Sequence, residues 1–354
     1  MRKPRILELD IVRAFAIMAV LMIHATSETT VEIPLGSRSQ ILYLIVNKLS
    51  NFAVPIFILL SGLVLFYRYS GAWSWKEALS FYRKRIQYIL VPYLIWSFFY
   101  YVFNQWTPNF NWHDIKIDWP FFLNALKWAD TSYHLYFIVL ILQFYLIFPL
   151  IMALADRWSW FARNLIWIGL AAQIGFYIYH HWFHPVQHPA TILGTYAGIF
   201  AIGGWIGMNY ERFQRAGERH LWWVLGLALL IGYSFALLFV LSQNRINFGS
   251  LPMEILFNGY AVAMGLSLLW ISAKVLRGTP RLAAVLTSMG TAAFGIYFTH
   301  PALLSLWRRN WTYPSDTLAY HLSTIGAGVM IFTVPWLLVF LLRKWKGAWI
   351  LFGK

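Results

Sequence analysis

Apolar residues run along the chain in blocks separated by short polar, often basic, connections. Crossing roughly 30 Å of hydrocarbon at 1.5 Å per residue takes about 20 apolar residues. Ten blocks meet that need, near residues 9–27, 42–66, 86–106, 134–153, 161–181, 191–208, 221–241, 253–274, 286–306 and 321–342. They predict an all-α membrane protein, a bundle of about ten transmembrane helices. Two blocks are irregular: the second holds Lys48 and Pro55, and the third opens with Pro92 and fades into a Trp- and Asn-rich stretch. Because proline removes a helix donor and clashes with the preceding turn, either span is expected to be broken or tilted. No repeat and no low-complexity tract interrupts the pattern, so residues 1–354 are expected to form a single transmembrane domain.

Composition strengthens this picture. The 354 residues are 60% hydrophobic, 19% aromatic and only 12% charged, about half the charge of a soluble domain, and their mean hydropathy is +0.58. A formal net charge of +15 would suit nucleic acid, but the bases cluster between apolar blocks, as they do in cytoplasmic loops, so nucleic acid is excluded as a partner. One side collects Arg2, Lys3, Arg5, the 67–85 connection (Arg68, Lys76, Arg83, Lys84, Arg85), Arg157, Arg163, Arg212, Arg215, Arg219, Lys274, Arg277, Arg281 and a tail with Arg343, Lys344, Lys346 and Lys354. The other has Arg38, Lys116, Lys127, Arg245, Arg308 and Arg309, a split of 20 against 6 that leaves Arg13 and Lys48 inside spans. Both termini are therefore expected in the cytoplasm. The first block is not read as a cleaved signal peptide, since Asp10, Arg13 and His24 do not belong in an apolar signal core. With no cysteine, thiolate nucleophiles, disulfides and cysteine metal sites are excluded.

Ionisable side chains within spans are costly and face interior cavities, so they are the functional candidates. Asp10 and Arg13, three residues apart, share a helical face at the inner boundary and are close enough to pair. His24 lies eleven residues beyond Arg13, about 16 Å along the axis and nearly on the same face. The ninth block carries His300 near the same depth, so the two imidazoles are expected to share a cavity. In the second block Ser61-Gly62 suits either close helix packing or a ligand passage. The long outer 107–133 connection carries Trp112, Trp119, Trp128, Asp118 and Asp130 and runs into Tyr133-His134. Aromatic faces with carboxylates suit sugars, although aromatic belts also occur at this level. His180, His181, His184 and His188 resemble a metal cluster by count, but their spacing fits no zinc signature, and no metal site is expected.

Leu9-Asp10-Ile11-Val12-Arg13 with His24, Phe57 to Gly62, Tyr82-Arg83-Lys84-Arg85 with Val91-Pro92-Tyr93, His134-Leu135-Tyr136-Phe137 and Gly295 to His300 together resemble the acyltransferase-3 family of integral membrane O-acyltransferases, over about residues 5–342. The spaced arginine and histidine of the first span are the most specific part. Three residues after Arg85, where many members carry arginine, this chain has Tyr88. The resemblance implies transfer of an acyl group, usually acetyl, from cytoplasmic acyl-coenzyme A to a hydroxyl of a cell-envelope glycan or glycolipid in a bacterial plasma membrane. Acyl-coenzyme A is then the donor substrate, with no bound cofactor. The residues suit that chemistry. Guanidinium groups of Arg13, Arg83 and Arg85 match phosphates through charge-assisted hydrogen bonds, with Ser61 beside the passage or, in an acyl-enzyme route, as nucleophile. His24 is expected as general base with His300 as the second catalytic imidazole. No carboxylate lies one turn from His24, so its orienting partner must come from another segment: Glu254, Asp130 or His300. Asp10 is expected to fix Arg13, and Asp130, His134 and Trp128 to meet the acceptor. A transporter or flippase of lipid-linked sugars is the other class that fits, disfavoured by the missing repeat.

Overall fold

The computed structural model describes residues 3–71, 73–243 and 246–353; Arg2, Arg245 and Lys354, used above to orient the chain, lie outside them. Among the described residues every regular element is helical. In chain order the α-helices are α1 (Glu8–Thr26), α2 (Thr29–Glu32), α3 (Arg38–Leu49), α4 (Ala53–Tyr69), α5 (Trp75–Arg85), α6 (Val91–Trp106), α7 (Trp119–Trp128) and α8 (Tyr136–Arg157). They continue with α9 (Ser159–Arg163), α10 (Leu165–Ile178), α11 (Ala197–Met208), α12 (Tyr210–Gln243), α13 (Ser250–Gly278), α14 (Pro280–Asn310), α15 (Leu318–Leu342) and α16 (Trp349–Phe352).

Eight helical runs among the described residues are long and apolar enough to cross a membrane: Glu8–Glu32, Arg38–Tyr69, Trp75–Trp106, Tyr136–Arg157, Tyr210–Gln243, Ser250–Gly278, Pro280–Asn310 and Leu318–Leu342. The expected spans 161–181 and 191–208 fall on shorter pieces. The 14 residues of α10 reach about 21 Å before a π-helical turn, Tyr179–Phe183, and α11 has 12 residues.

The second span is broken, as its composition suggested. α3 stops at Leu49, and Pro55 sits in the first turn of α4, where a missing N–H costs nothing. The backbone freed at the break is satisfied locally, as a membrane interior requires: Tyr260 donates its hydroxyl to the Leu49 carbonyl at 2.5 Å, and the Ser50 hydroxyl donates to Val46 at 2.8 Å. Lys48 lies over the Phe239 ring at 3.7 Å. The basic 67–85 connection is largely helical rather than a loop. Ser74 caps α5 by accepting from the Glu77 N–H at 3.3 Å, and α5 continues through a π-helical segment, Ile86–Leu90, into α6. Arg212, Arg215 and Arg219 likewise lie on the first turns of α12.

The chain divides into two compact units, one comprising Ile58–Tyr210 with both chain ends (Met1–Lys3 and Leu342–Lys354), the other Pro4–Phe57 with Glu211–Leu341. In the first, an aromatic core joins Phe66, Phe81, Phe144, Phe148 and Phe200, with Phe144 stacked on Phe200 at 4.4 Å. α4 and α11 meet there backbone to backbone. A Cβ on Gly62 would lie 2.2 Å from the Phe200 carbonyl oxygen, and one on Gly203 2.1 Å from that of Leu59. Gly62→Ala should therefore lower the melting temperature in detergent, because the clash is with main chain and needs the helices to part, at about 1–3 kcal/mol. The carboxyl-terminal α16 also belongs to this unit: Trp96 donates its indole N–H to the Leu351 carbonyl at 2.8 Å, and Phe352 is buried.

In the second unit α1 packs along α14, with α3 and α13 beside it. Contact is closest at Gly290, where a Cβ would fall 1.6 Å from the Asp10 carbonyl oxygen. Trp270 stacks on Phe213 at 4.8 Å and donates to the Phe213 carbonyl at 3.0 Å.

Candidate active site

α1 holds Asp10, Arg13 and His24 along one largely apolar helix. Near its start the Asp10 carboxylate is 1% exposed and takes two cations: Arg5, through a short ion pair, and Arg13, whose Nη1 donates at 2.6 Å. A buried carboxylate is tolerable only when paired in this way. Arg13 keeps the rest of its guanidinium partly exposed, so the expected Asp10–Arg13 pair forms and leaves donors free for an anion.

His24 lies in the last turn of the same helix. Its ring packs against the His300 ring of α14, centroids 5.2 Å apart and planes 34° from parallel. His300 is fully buried, and its Nδ1 lies 2.9 Å from the Ile296 carbonyl. A carbonyl can only accept, so Nδ1 carries the proton and Nε2 is left as the acceptor nitrogen. Of the three candidates for a partner to His24, His300 is the one seated against it. Glu254 instead accepts from the Asn258 side-chain amide at 3.2 Å, and Asp130 belongs to the other unit.

The end of α1 is held by groups that the sequence did not single out. A helix terminus leaves carbonyls without internal partners. Here Asn47 of α3 donates to the Ile23 carbonyl at 3.0 Å. Arg308 of α14 donates from Nη2 to the His24 carbonyl at 2.8 Å and pairs through Nε with Glu28 at 2.8 Å. One helix, α14, thus grips both the ring and the carbonyl of His24. A cation at a helix carboxyl terminus also complements its dipole. Arg308→Ala should slow turnover roughly 10- to 100-fold, the effect of displacing a reacting group by about an ångström, while leaving the KM for the acyl donor nearly unchanged. Arg308→Lys, which keeps the charge and loses the fork, should fall between. Steady-state kinetics on the three proteins measure both parameters.

The remaining candidates lie in the first unit. The Arg85 guanidinium sits 4.5 Å above the Tyr145 ring and 4.9 Å from Phe81, and its buried Nε makes no hydrogen bond. Arg83 is exposed on α5, and Ser61 is half-buried on α4. His134, expected on the acceptor side, is 2% exposed, shares a hydrogen bond with Ser132 at 3.0 Å through Nδ1 and packs edge-on against Tyr100 at 4.9 Å. Trp128 and Asp130 instead line an open pocket of about 400 Å³ with Tyr133, Tyr136, His188 and Thr191. They are brought side by side by Ala129, which ends α7 in the left-handed region at φ 62°, a conformation costing a non-glycine residue about 1 kcal/mol. Of the other histidines that resemble a metal cluster by count, His180 and His181 pack edge-on against each other, ring centroids 4.7 Å apart. His180 accepts from the Val186 N–H at 2.9 Å, and His181 packs on Tyr177 at 4.0 Å. Among the described residues no three ligating side chains converge.

The arginine and histidine of α1 are the part of the sequence in which the chain most resembles membrane acyltransferases. The family model of the acyltransferase-3 domain, described as an acyltransferase domain, matches residues 6–340, and the chain belongs to this family. It is a multi-pass protein of a bacterial plasma membrane. It is similar to a probable poly-beta-1,6-N-acetyl-D-glucosamine export protein of Staphylococcus epidermidis, 23% identical over 349 residues that cover 93% of this chain and 92% of that protein. A protein of the same description from Staphylococcus aureus strain MSSA476 is 24% identical over 334 residues, covering 90% and 88%. No solved structure matches the chain.

Proposed function

We propose that the protein is an O-acyltransferase that moves an acyl group, most simply acetyl, from cytoplasmic acyl-coenzyme A to a hydroxyl of an envelope glycan or glycolipid. The observation that carries this reading is the His24–His300 ring pair at 5.2 Å, with His24 on the same helix as a carboxylate-held arginine about 16 Å away. In it the chain crosses the membrane ten times as one catalytic domain, with both termini in the cytoplasm. Arg13, Arg83, Arg85 and Ser61 serve the donor, the arginines holding its phosphates and Asp10 fixing Arg13, while Trp128, Asp130 and His134 serve the acceptor side. His24 takes the proton of the acceptor hydroxyl as its oxygen attacks the thioester carbonyl carbon. The new C–O bond forms, the C–S bond breaks, and the imidazolium returns the proton to the departing thiolate. His300 orients the His24 ring through this cycle.

The descriptions of the relatives favour a second reading, glycan export, and one experiment separates the two. Purified protein in nanodiscs is given acetyl-labelled coenzyme A thioester and short β-1,6-linked N-acetylglucosamine oligomers. An acyltransferase releases free coenzyme A in step with labelled oligomer. Vesicle-reconstituted protein that moves oligomer across the bilayer with no label transferred is an exporter.

A further inference from the structure

We infer that the pocket between the end of α7 and the 188–191 segment is a saccharide subsite that takes a mono- or disaccharide unit of the glycan, stacked by the carbon–hydrogen face of a sugar ring. This rests on the glycan reading of the protein and adds the place, the chemistry and a residue, His188, that the acyl-transfer mechanism does not use.

Three observations within the first unit converge. The cavity of about 400 Å³ lies at the small end of the ~300–1,000 Å³ of ligand sites, which suits one or two sugar rings. Its walls are aromatic: the Trp128 and His188 rings stack at 5.3 Å with planes 22° apart, and Tyr133 beside them is 55% exposed. Two of its polar groups, the Asp130 carboxylate and the Trp128 indole N–H, have no hydrogen-bond partner among the described residues. An aromatic plate beside a carboxylate acceptor and an N–H donor matches a pyranose, which has an apolar face and a rim of hydroxyls. A lipid-facing aromatic belt needs no such carboxylate.

The walls are also rigid, which reduces the entropy lost on binding. The Thr191 hydroxyl donates to the His188 carbonyl at 2.7 Å. Gln143 of α8 ties down the same segment, donating to the Thr191 carbonyl at 2.5 Å and accepting from the Leu193 N–H at 3.2 Å. The anionic rim disfavours acidic sugars, so the subsite takes neutral or N-acetylated ones.

The test is saturation-transfer NMR on the full chain in nanodiscs, with disaccharides of glucose and of N-acetylglucosamine and with glucuronic acid as the acidic comparison. Ring C–H signals should appear for the neutral sugars. Trp128→Ala and Asp130→Asn should each weaken binding about tenfold or more, as loss of a charge-assisted hydrogen bond or a stacking face does, whereas Trp128→Phe retains most of it. The absence of saturation transfer from every neutral sugar, or binding unchanged in both Trp128→Ala and Asp130→Asn, overturns the subsite. The outcome is separable from the acyl-transfer mechanism. His24→Ala should bind the disaccharides like wild type while losing transfer, and a protein that binds sugar through Trp128 yet never transfers acyl leaves the subsite standing and removes the enzyme.

Discussion

Gly290→Ala is expected to be among the most damaging single-methyl additions in the chain, lowering stability by about 3 kcal/mol or more. The added Cβ would sit 1.6 Å from the Asp10 carbonyl oxygen. A crowded side chain can rotate away, but here the obstacle is main chain, so α14 must move off α1; such overpacking reaches the top of the usual ~1–3 kcal/mol range. The shift also moves His300 and Arg308, which α14 presents to His24, so acyl transfer should fall with stability. Gly328→Ala in α15 is the matched control, because nothing lies within 4 Å of its would-be Cβ. Thermal unfolding in detergent should show a large drop for the first substitution and none for the second. Equal melting temperatures would mean that α1 and α14 do not approach so closely.

His24→Ala is expected to cost about 10²- to 10⁴-fold in turnover, the usual contribution of a positioned general base. Donor affinity should hardly change, since Arg13, Arg83 and Arg85 carry that task in the proposed mechanism. His300→Gln should cost less. It removes the ring that packs on His24 but leaves the base itself, so its effect belongs with orienting groups, about 10- to 100-fold. Turnover and donor KM, measured separately on both variants, distinguish a base from an orienting ring. A His24→Ala protein with normal turnover would remove the imidazole from the chemistry.

Much of this site could be read along the chain because helical geometry links spacing to placement. The interval between Arg13 and His24 is a whole number of turns, and Asp10 is one turn before Arg13, so one helix had to present all three in a line. The depth of His300 in its own span put it level with His24, and the structure seats the rings together. Pro55 and Lys48 marked the second span as irregular, and it is split between Leu49 and Ala53. Gly62 had two readings, and its contact with the Phe200 carbonyl gives it a packing role.

What escaped sequence reasoning has specific causes. Arg308 and Asn47 act on backbone carbonyls at the end of α1, and no spacing within a segment reveals a partner 284 residues away. Arg308 looked like one more base at the membrane edge. The helix α5 was hidden by its charge, although Ser74-Trp75-Lys76-Glu77 has the form of a capping box and would have revealed its start. The burial of the His134 ring against Tyr100 depends on packing that no linear pattern encodes. His188 was weighed only as a metal ligand, and its place beside Trp128 arises from two distant connections meeting.

The most direct measurement of the central claim is a cryo-EM structure of the protein with a non-hydrolysable thioether analogue of acetyl-coenzyme A. The mechanism places the acyl carbonyl carbon no more than about 6 Å from the His24 imidazole, one hydrogen bond plus one attack distance, with the phosphates on Arg13 or Arg85. An analogue bound with its acyl end far from that ring, or a His24 ring turned to lipid, contradicts it.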